Sequence, residues 1–373
     1  MTKYKEYNYG IALLRIWMCF EVVLCHFYMW EDTNILVSLL RHYSSLAVPV
    51  FMTLAFLYID LNKMGDDKSM FVQRMKRLLI PHLLWSLAYF FVYWWLDAAN
   101  DYSLGIHLGI KGLIGSILTG NVLNTAAWFQ IDLIIVTLVM VCFVKAIRND
   151  KSRSFRAKTN LNWKKVSEQC FFILLFLLAM VIEYSGCWYK VVNRFLYGNV
   201  FYWPVGRFVE MIPPAIIGYA MFRSRLISRM SDLIFVKRVV LIMLALLLLI
   251  LCFRVDSWFT IKDDFMYSGI MKVIETSLSI VIASTIRLDY VGVTVKRLIG
   301  FFSAATMNIY FAHNMIGTVL YKTRLEQITH IKQGSFLGCI VIFMVSALIA
   351  GIISLIAKTI KRVIADNRGV YFD

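Results

Sequence analysis

Of the 373 residues, 60 % are hydrophobic and 17 % charged, whereas a soluble domain is about half apolar and about a quarter charged. A water-soluble globule, a disordered chain and a low-complexity linker are therefore excluded, and most of the chain must lie in lipid. The formal charge of +16 does not point to nucleic acid, because the basic residues fall in short gaps between apolar segments, the pattern of an inner-leaflet membrane surface. The seven cysteines are an odd count and six of them lie in apolar stretches, so no disulfide framework is implied.

A hydrocarbon core about 30 Å thick takes about 20 mostly apolar residues per helix. Ten windows qualify, near 11–30, 43–59, 78–97, 127–147, 169–186, 204–222, 239–255, 267–286, 298–320 and 336–357. The fold class expected is an all-α polytopic bundle of about ten transmembrane helices, forming one domain over 1–373. With the N-terminus inside, the six inner segments hold 27 of the 39 lysines and arginines, so both termini are expected to be cytoplasmic. The first apolar segment is too long for a cleavable signal and is expected to remain as a span. Between the third and fourth windows, GIHLGIKGLIGSIL (105–118) has the spacing of an interfacial helix on the outer surface.

An ionisable side chain in hydrocarbon costs a few kcal/mol, so each one kept there is a functional candidate. The first span, LLRIWMCFEVVLCHFYMW (13–30), holds Arg15, Glu21 and His26. Eleven residues are about three helical turns, which puts Arg15 and His26 on nearly one face about 16 Å apart, with Glu21 on another. Arginine offers forked donors suited to phosphate or carboxylate, and histidine takes and returns a proton near neutral pH. On the residues alone, a snorkelling arginine and a histidine bonded to a neighbouring helix explain the pair equally well.

An arginine and a histidine at this spacing resemble the opening signature of the integral-membrane acyltransferase family 3. VPVFMTLAFLY (48–58) is similar to that family's second-span motif, RMKRLLIPHLLW (74–85) to its paired-arginine entry into the third span, and AAWFQIDLI (126–134) to its tryptophan-phenylalanine motif. PPAIIGYAMF (213–222) and MNIYFAHNMI (307–316) resemble its later glycine and tyrosine-histidine segments. The sequence departs from the pattern at Ala55 and Phe56, where serine and glycine are usual, and at His82, where tyrosine is more frequent.

The resemblance implies acyl transfer from cytoplasmic acyl-coenzyme A, acetyl-CoA above all, to a hydroxyl of a cell-surface or lipid-linked saccharide in a bacterial inner membrane. Arg15, Arg74 and Arg77 are then expected to hold the coenzyme's phosphates. His26 is the expected general base, steadied by a carboxylate from among Glu21, Asp132 and Glu210, with Glu210 taken as the catalytic one. His313, Trp128 and Tyr310 are expected on the substrate side. An acyl-histidine intermediate and direct transfer are both open. Trp30, Trp94, Trp95, Trp188, Trp203 and Trp258 stand near span ends as interface anchors, and Tyr202 with Trp203 also suits stacking on a sugar ring. His42 and His107 are expected at the outer surface. No spacing of His, Cys, Asp and Glu suggests zinc, and no glycine-rich loop suggests a nucleotide cradle. A transporter or flippase, or a non-enzymatic assembly partner, fits the same span pattern.

Overall fold

The structure, a computed structural model, describes residues 7–29, 35–100, 110–120, 122–124, 126–149, 163–199, 201–259, 269–322, 331–332 and 334–367. Trp30, His107 and most of the basic stretch at 145–168 lie outside the described residues, as does the side chain of Trp258. Every element in the described residues is a helix. Seven helices are long and apolar enough to cross a membrane: Tyr9–Phe27, Lys68–Leu96, Trp128–Ala146, Glu168–Ser185, Tyr202–Arg223, Phe235–Val255 and Phe336–Ala357. The chain is a multi-pass membrane protein.

Helices stand at all ten expected windows, and three fall short of the span criteria for separate reasons. Near 43–59 there are two consecutive helices, Val37–Ser44 and Ala47–Leu57, which would make an eighth span if counted together. The helix near 267–286 runs only Ile270–Thr285 and carries Lys272 and Glu275. The one near 298–320 is long, Val293–Lys322, but Asn308, His313, Asn314 and several hydroxyls lower its apolar content. The interfacial segment forms a ten-residue helix, Ile110–Thr119, too short to span.

The chain divides into two compact units, one of residues 1–44 with 286–373 and the other of 45–285. In the first, α1 (Tyr9–Phe27), α2 (Ile35–Ser44), α14 (Val293–Lys322) and α15 (Phe336–Asn367) pack together, with α1 against the other three. Asn8 caps α1 by accepting from the Ile11 amide at 2.9 Å, meeting one of the donors that a helix start leaves over. Phe20 of α1 sets its ring edge-on to Phe336 and Phe343 at 5.7 and 5.6 Å. Gly317 lets α14 come so close that a β-carbon there would strike the ring of Phe27.

The second unit contains α3 (Ala47–Leu57), α4 (Leu61–Asp66), α5 (Lys68–Asn100), α6 (Ile110–Thr119), α7 (Trp128–Asn149), α8 (Trp163–Ser185), α9 (Cys187–Leu196), α10 (Tyr202–Arg223), α11 (Leu226–Ser231), α12 (Phe235–Phe259) and α13 (Ile270–Thr285). Its centre is α10, which packs on α3, α7, α8, α9 and α13. The α3–α10 contact is a backbone approach: a β-carbon at Gly218 would meet the Thr53 carbonyl, and the Thr53 hydroxyl donates to the Pro214 carbonyl at 3.0 Å. The glycine that permits this approach is Gly218 of α10, not a residue of α3. At one end of α10, Tyr219 donates to Glu168 at 2.7 Å and accepts from Asn62 at 3.2 Å, joining α8, α10 and α4. By contrast, α12 has only 17 % of its apolar window covered by protein. Its bare leucines suit lipid rather than a second protein layer.

Candidate functional site

Two helices of the first unit place the imidazoles. The Cys19 thiol reaches the Thr306 carbonyl at 3.5 Å, and seven residues further along each helix stand His26 and His313. Seven residues are two turns, so two helices running in the same direction repeat the contact on the same faces. The rings of His26 and His313 lie 5.3 Å apart, tilted by 43°, and Phe27 closes one side at right angles to His313, 6.2 Å away. His313 is fully buried, whereas His26 keeps accessible surface.

The tautomer of His313 follows from its partner. Its Nδ1 lies 2.6 Å from the Tyr310 carbonyl one turn back, and a carbonyl only accepts, so Nδ1 carries the hydrogen. Nε2 is left as a lone-pair acceptor, buried and without a hydrogen-bond partner. Tyr310 is itself buried, its ring 5.9 Å from that of His313. Arg15, half-buried, stands on the same helix as His26, eleven residues before it and thus about 16 Å along the axis. Glu21, also on α1, is fully buried with neither carboxyl oxygen bonded.

The second unit holds the remaining predicted residues. Arg74 and Arg77 are one turn apart inside α5, which begins at Lys68, ahead of the expected 78–97. Arg77 is exposed. Arg74 is half-buried, and its Nε and Nη2 are buried without any partner. Those two atoms form one edge of the guanidinium fork, the edge that pairs with two oxygens of a phosphate or carboxylate. Gln130 of α7 donates to the Leu78 carbonyl of α5 at 3.1 Å, and His82, one turn later, bonds the Ile117 carbonyl of α6 at 2.9 Å. The first bond fixes α5 against α7, which begins with buried Trp128, and the second fixes it against α6.

Glu210 does not stand alone. Arg207, one turn earlier on α10, donates to both of its oxygens at 3.0 and 3.2 Å, and both residues are buried. The same guanidinium lies over the Trp203 ring, 5.2 Å from its centroid. Asp132 is fully buried within electrostatic reach of Glu210 and Arg207, and neither of its oxygens has a hydrogen-bond partner. Glu183, also fully buried, accepts from the Gly269 amide at 3.2 Å and feels the Glu210 charge. A further buried pair joins Lys272 to Glu275 at 3.4 Å.

The sequence reading singled out neither Arg207 nor Glu183 as part of a site, nor the Lys272–Glu275 pair. The signal for the two pairs was present, since opposite charges three residues apart within an apolar window can meet on one helix face. Glu183 carried no such mark. Of the expected residues, the first unit joins His26, His313 and Tyr310, and the second unit holds Arg74, Arg77, Trp128 and Glu210.

Neither a curated protein nor a solved structure matches the chain. The family model described as an acyltransferase domain matches residues 8–355, nearly the whole chain. That span takes in Arg15, His26, Arg74, Arg77, Trp128, Glu210, Tyr310 and His313. The chain therefore belongs to acyltransferase family 3.

Proposed function

We propose that this membrane acyltransferase moves an acetyl or other short acyl group from cytoplasmic acyl-CoA to a hydroxyl of a cell-surface or lipid-linked saccharide, in a bacterial inner membrane with both termini inside. The observation that carries the reading is the unmatched fork of Arg74, buried at Nε and Nη2 without a partner. Leaving charged donors buried and unmet costs more than an ordinary lost hydrogen bond, so such a fork is built for an anion that arrives. Coenzyme A brings phosphates, and Arg77 one turn away adds a second positive charge. Arg15 is assigned to the same donor.

His26 takes the proton of the attacking hydroxyl as its oxygen bonds the thioester carbon. The carbon–sulfur bond then breaks, and the proton passes to the departing thiolate, leaving free coenzyme A and an ester. Trp128, Tyr310 and His313 are assigned to the acceptor side, and Glu210 enters as a pair with Arg207. The test is acetyl-CoA binding to the detergent-solubilised protein, alongside alkali-labile acetyl on the host's envelope saccharide. Arg74→Ala should weaken binding about 10- to 100-fold, the range of a lost charged hydrogen bond, and Arg74→Lys should not restore it. Unchanged affinity in Arg74→Ala overturns the donor assignment, and envelope acetyl that does not depend on the gene overturns the acceptor.

A further inference from the structure

We infer that His313 is the positioning residue of His26: its Nε2 accepts a hydrogen bond from one nitrogen of the His26 ring and so fixes which His26 nitrogen is left to take the substrate's proton. The inference rests on the proposed role of His26, and it assigns to a neutral imidazole the task that other base–orienter pairs give to a carboxylate.

Three observations lead to it. The bond from Nδ1 to the Tyr310 carbonyl fixes the tautomer of His313, so its Nε2 is an acceptor whatever the state of its neighbour. That Nε2 is buried and without a partner, a situation that buried polar atoms seldom keep. The ring of His26 stands 5.3 Å from that of His313 between centroids, closer than the 5.9 Å of Tyr310, and can donate to it. A donor–acceptor distance of about 3 Å between two ring nitrogens, added to the short reach of each nitrogen from its ring centre, gives a spacing of that size. The rings meet at a tilt with the bond not yet made, and the exposed His26 ring closes it by turning about its Cβ–Cγ bond, a broad torsion, without need of substrate.

A neutral orienter has a consequence that a carboxylate does not. No fixed negative charge has to be kept in hydrocarbon, and the positive charge that forms on His26 during transfer is held by a dipole rather than a counter-ion. His313 is also locked at its far side by its own helix, so the acceptor lobe cannot turn away. Asparagine or phenylalanine at 313 would remove the lone pair at the Nε2 place, and glutamine would return an oxygen near it.

The test is nitrogen-15 spectroscopy of histidine-labelled protein, at a pH where the rings are neutral, with His26 assigned through His26→Gln. In the unaltered chain His26 should occupy one tautomer, with its N–H nitrogen correlated to the His313 Nε2 across the bond. His313→Phe should give a mixture of His26 tautomers, and His313→Gln should return the single form. In acyl transfer, His313→Phe should lower kcat by about 10²-fold or more with KM for acyl-CoA unchanged, and His313→Gln should recover most of the loss. A single tautomer that persists in His313→Phe overturns the proposal. If that variant does not fold, the unaltered chain decides, because two uncorrelated rings there overturn it as well. The spectra need no substrate. Bonded imidazoles in a chain with no acyl transfer would therefore sink the role of His26 and leave the pair, and unbonded ones in an active chain would do the reverse.

Discussion

In the unit built on α1 and α14, the polar groups brought together are rings: His26, which keeps accessible surface, and buried His313, with Tyr310 beside them. In the unit built around α10 they are ions, with Arg207 clamped on Glu210 and Lys272 on Glu275. A ring can be neutral before and after a proton passes, so it meets no lasting penalty for sitting in a low dielectric. An ion pair meets that penalty permanently and withstands it only while both partners remain. One unit is thus suited to moving charge and the other to holding it, and a substitution should reveal its unit by what fails.

The largest effect is expected where charge moves. His26→Ala should lower acyl transfer about 10²- to 10⁴-fold while the protein still inserts and unfolds at its usual temperature in detergent. A matching loss of thermal stability would mean that the rings are packing and would erase the contrast. Next comes the held charge: Arg207→Met leaves Glu210 buried without its cation and should cost about 3–5 kcal/mol in stability. Arg207→Met with Glu210→Met should be more stable than Arg207→Met alone, as thermal unfolding of the three proteins would establish. Equal loss in the single and double variants would show that the clamp does not hold the unit.

The close approaches sharpen the comparison further. Gly218→Ala forces a methyl onto the Thr53 backbone, which cannot swing aside, and should destabilise by about 1–3 kcal/mol. Gly317→Ala meets first the ring of Phe27, which can turn, so its cost should stay below about 1 kcal/mol. The reverse order in melting temperature would make the imidazole unit the stiffer one. Least of all, Leu247→Ala on the lipid face of α12 should change stability by less than about 0.5 kcal/mol.

The spans most plainly written in the sequence are those with an uninterrupted apolar run, such as α12 and α15, because lipid imposes a length and little else. Where protein rather than lipid is the neighbour, the pattern weakens. In α13, Lys272 and Glu275 are tolerated because they meet each other, and in α14 the polar residues face the helices packed on it. The short helix α9 stayed hidden in what read as an outer loop, since its ten residues alternate polar and apolar on opposite faces. The spacing of Arg15 and His26 was legible, as both belong to one helix of known pitch. The meeting of His26 with His313 was not, because no local pattern states that residues 287 positions apart share a face. Nor could the sequence state that Asp132 would be buried with both oxygens unmet.

The two prolines of α10 have a mechanical result. Pro213 and Pro214 each lack the amide that would bond back four residues, so two successive rungs of that helix's ladder are missing. Below the gap, Gly218 and the Thr53 hydroxyl pin the helix to α3. Above it, the turn bearing Arg207 and Glu210 is tied to α9, through the bond from the Trp188 indole to the Val205 carbonyl at 2.9 Å. The two halves of the span are therefore held by different partners, the later half by α3 and the earlier half by α9, across the stretch where the helix lacks two of its own bonds.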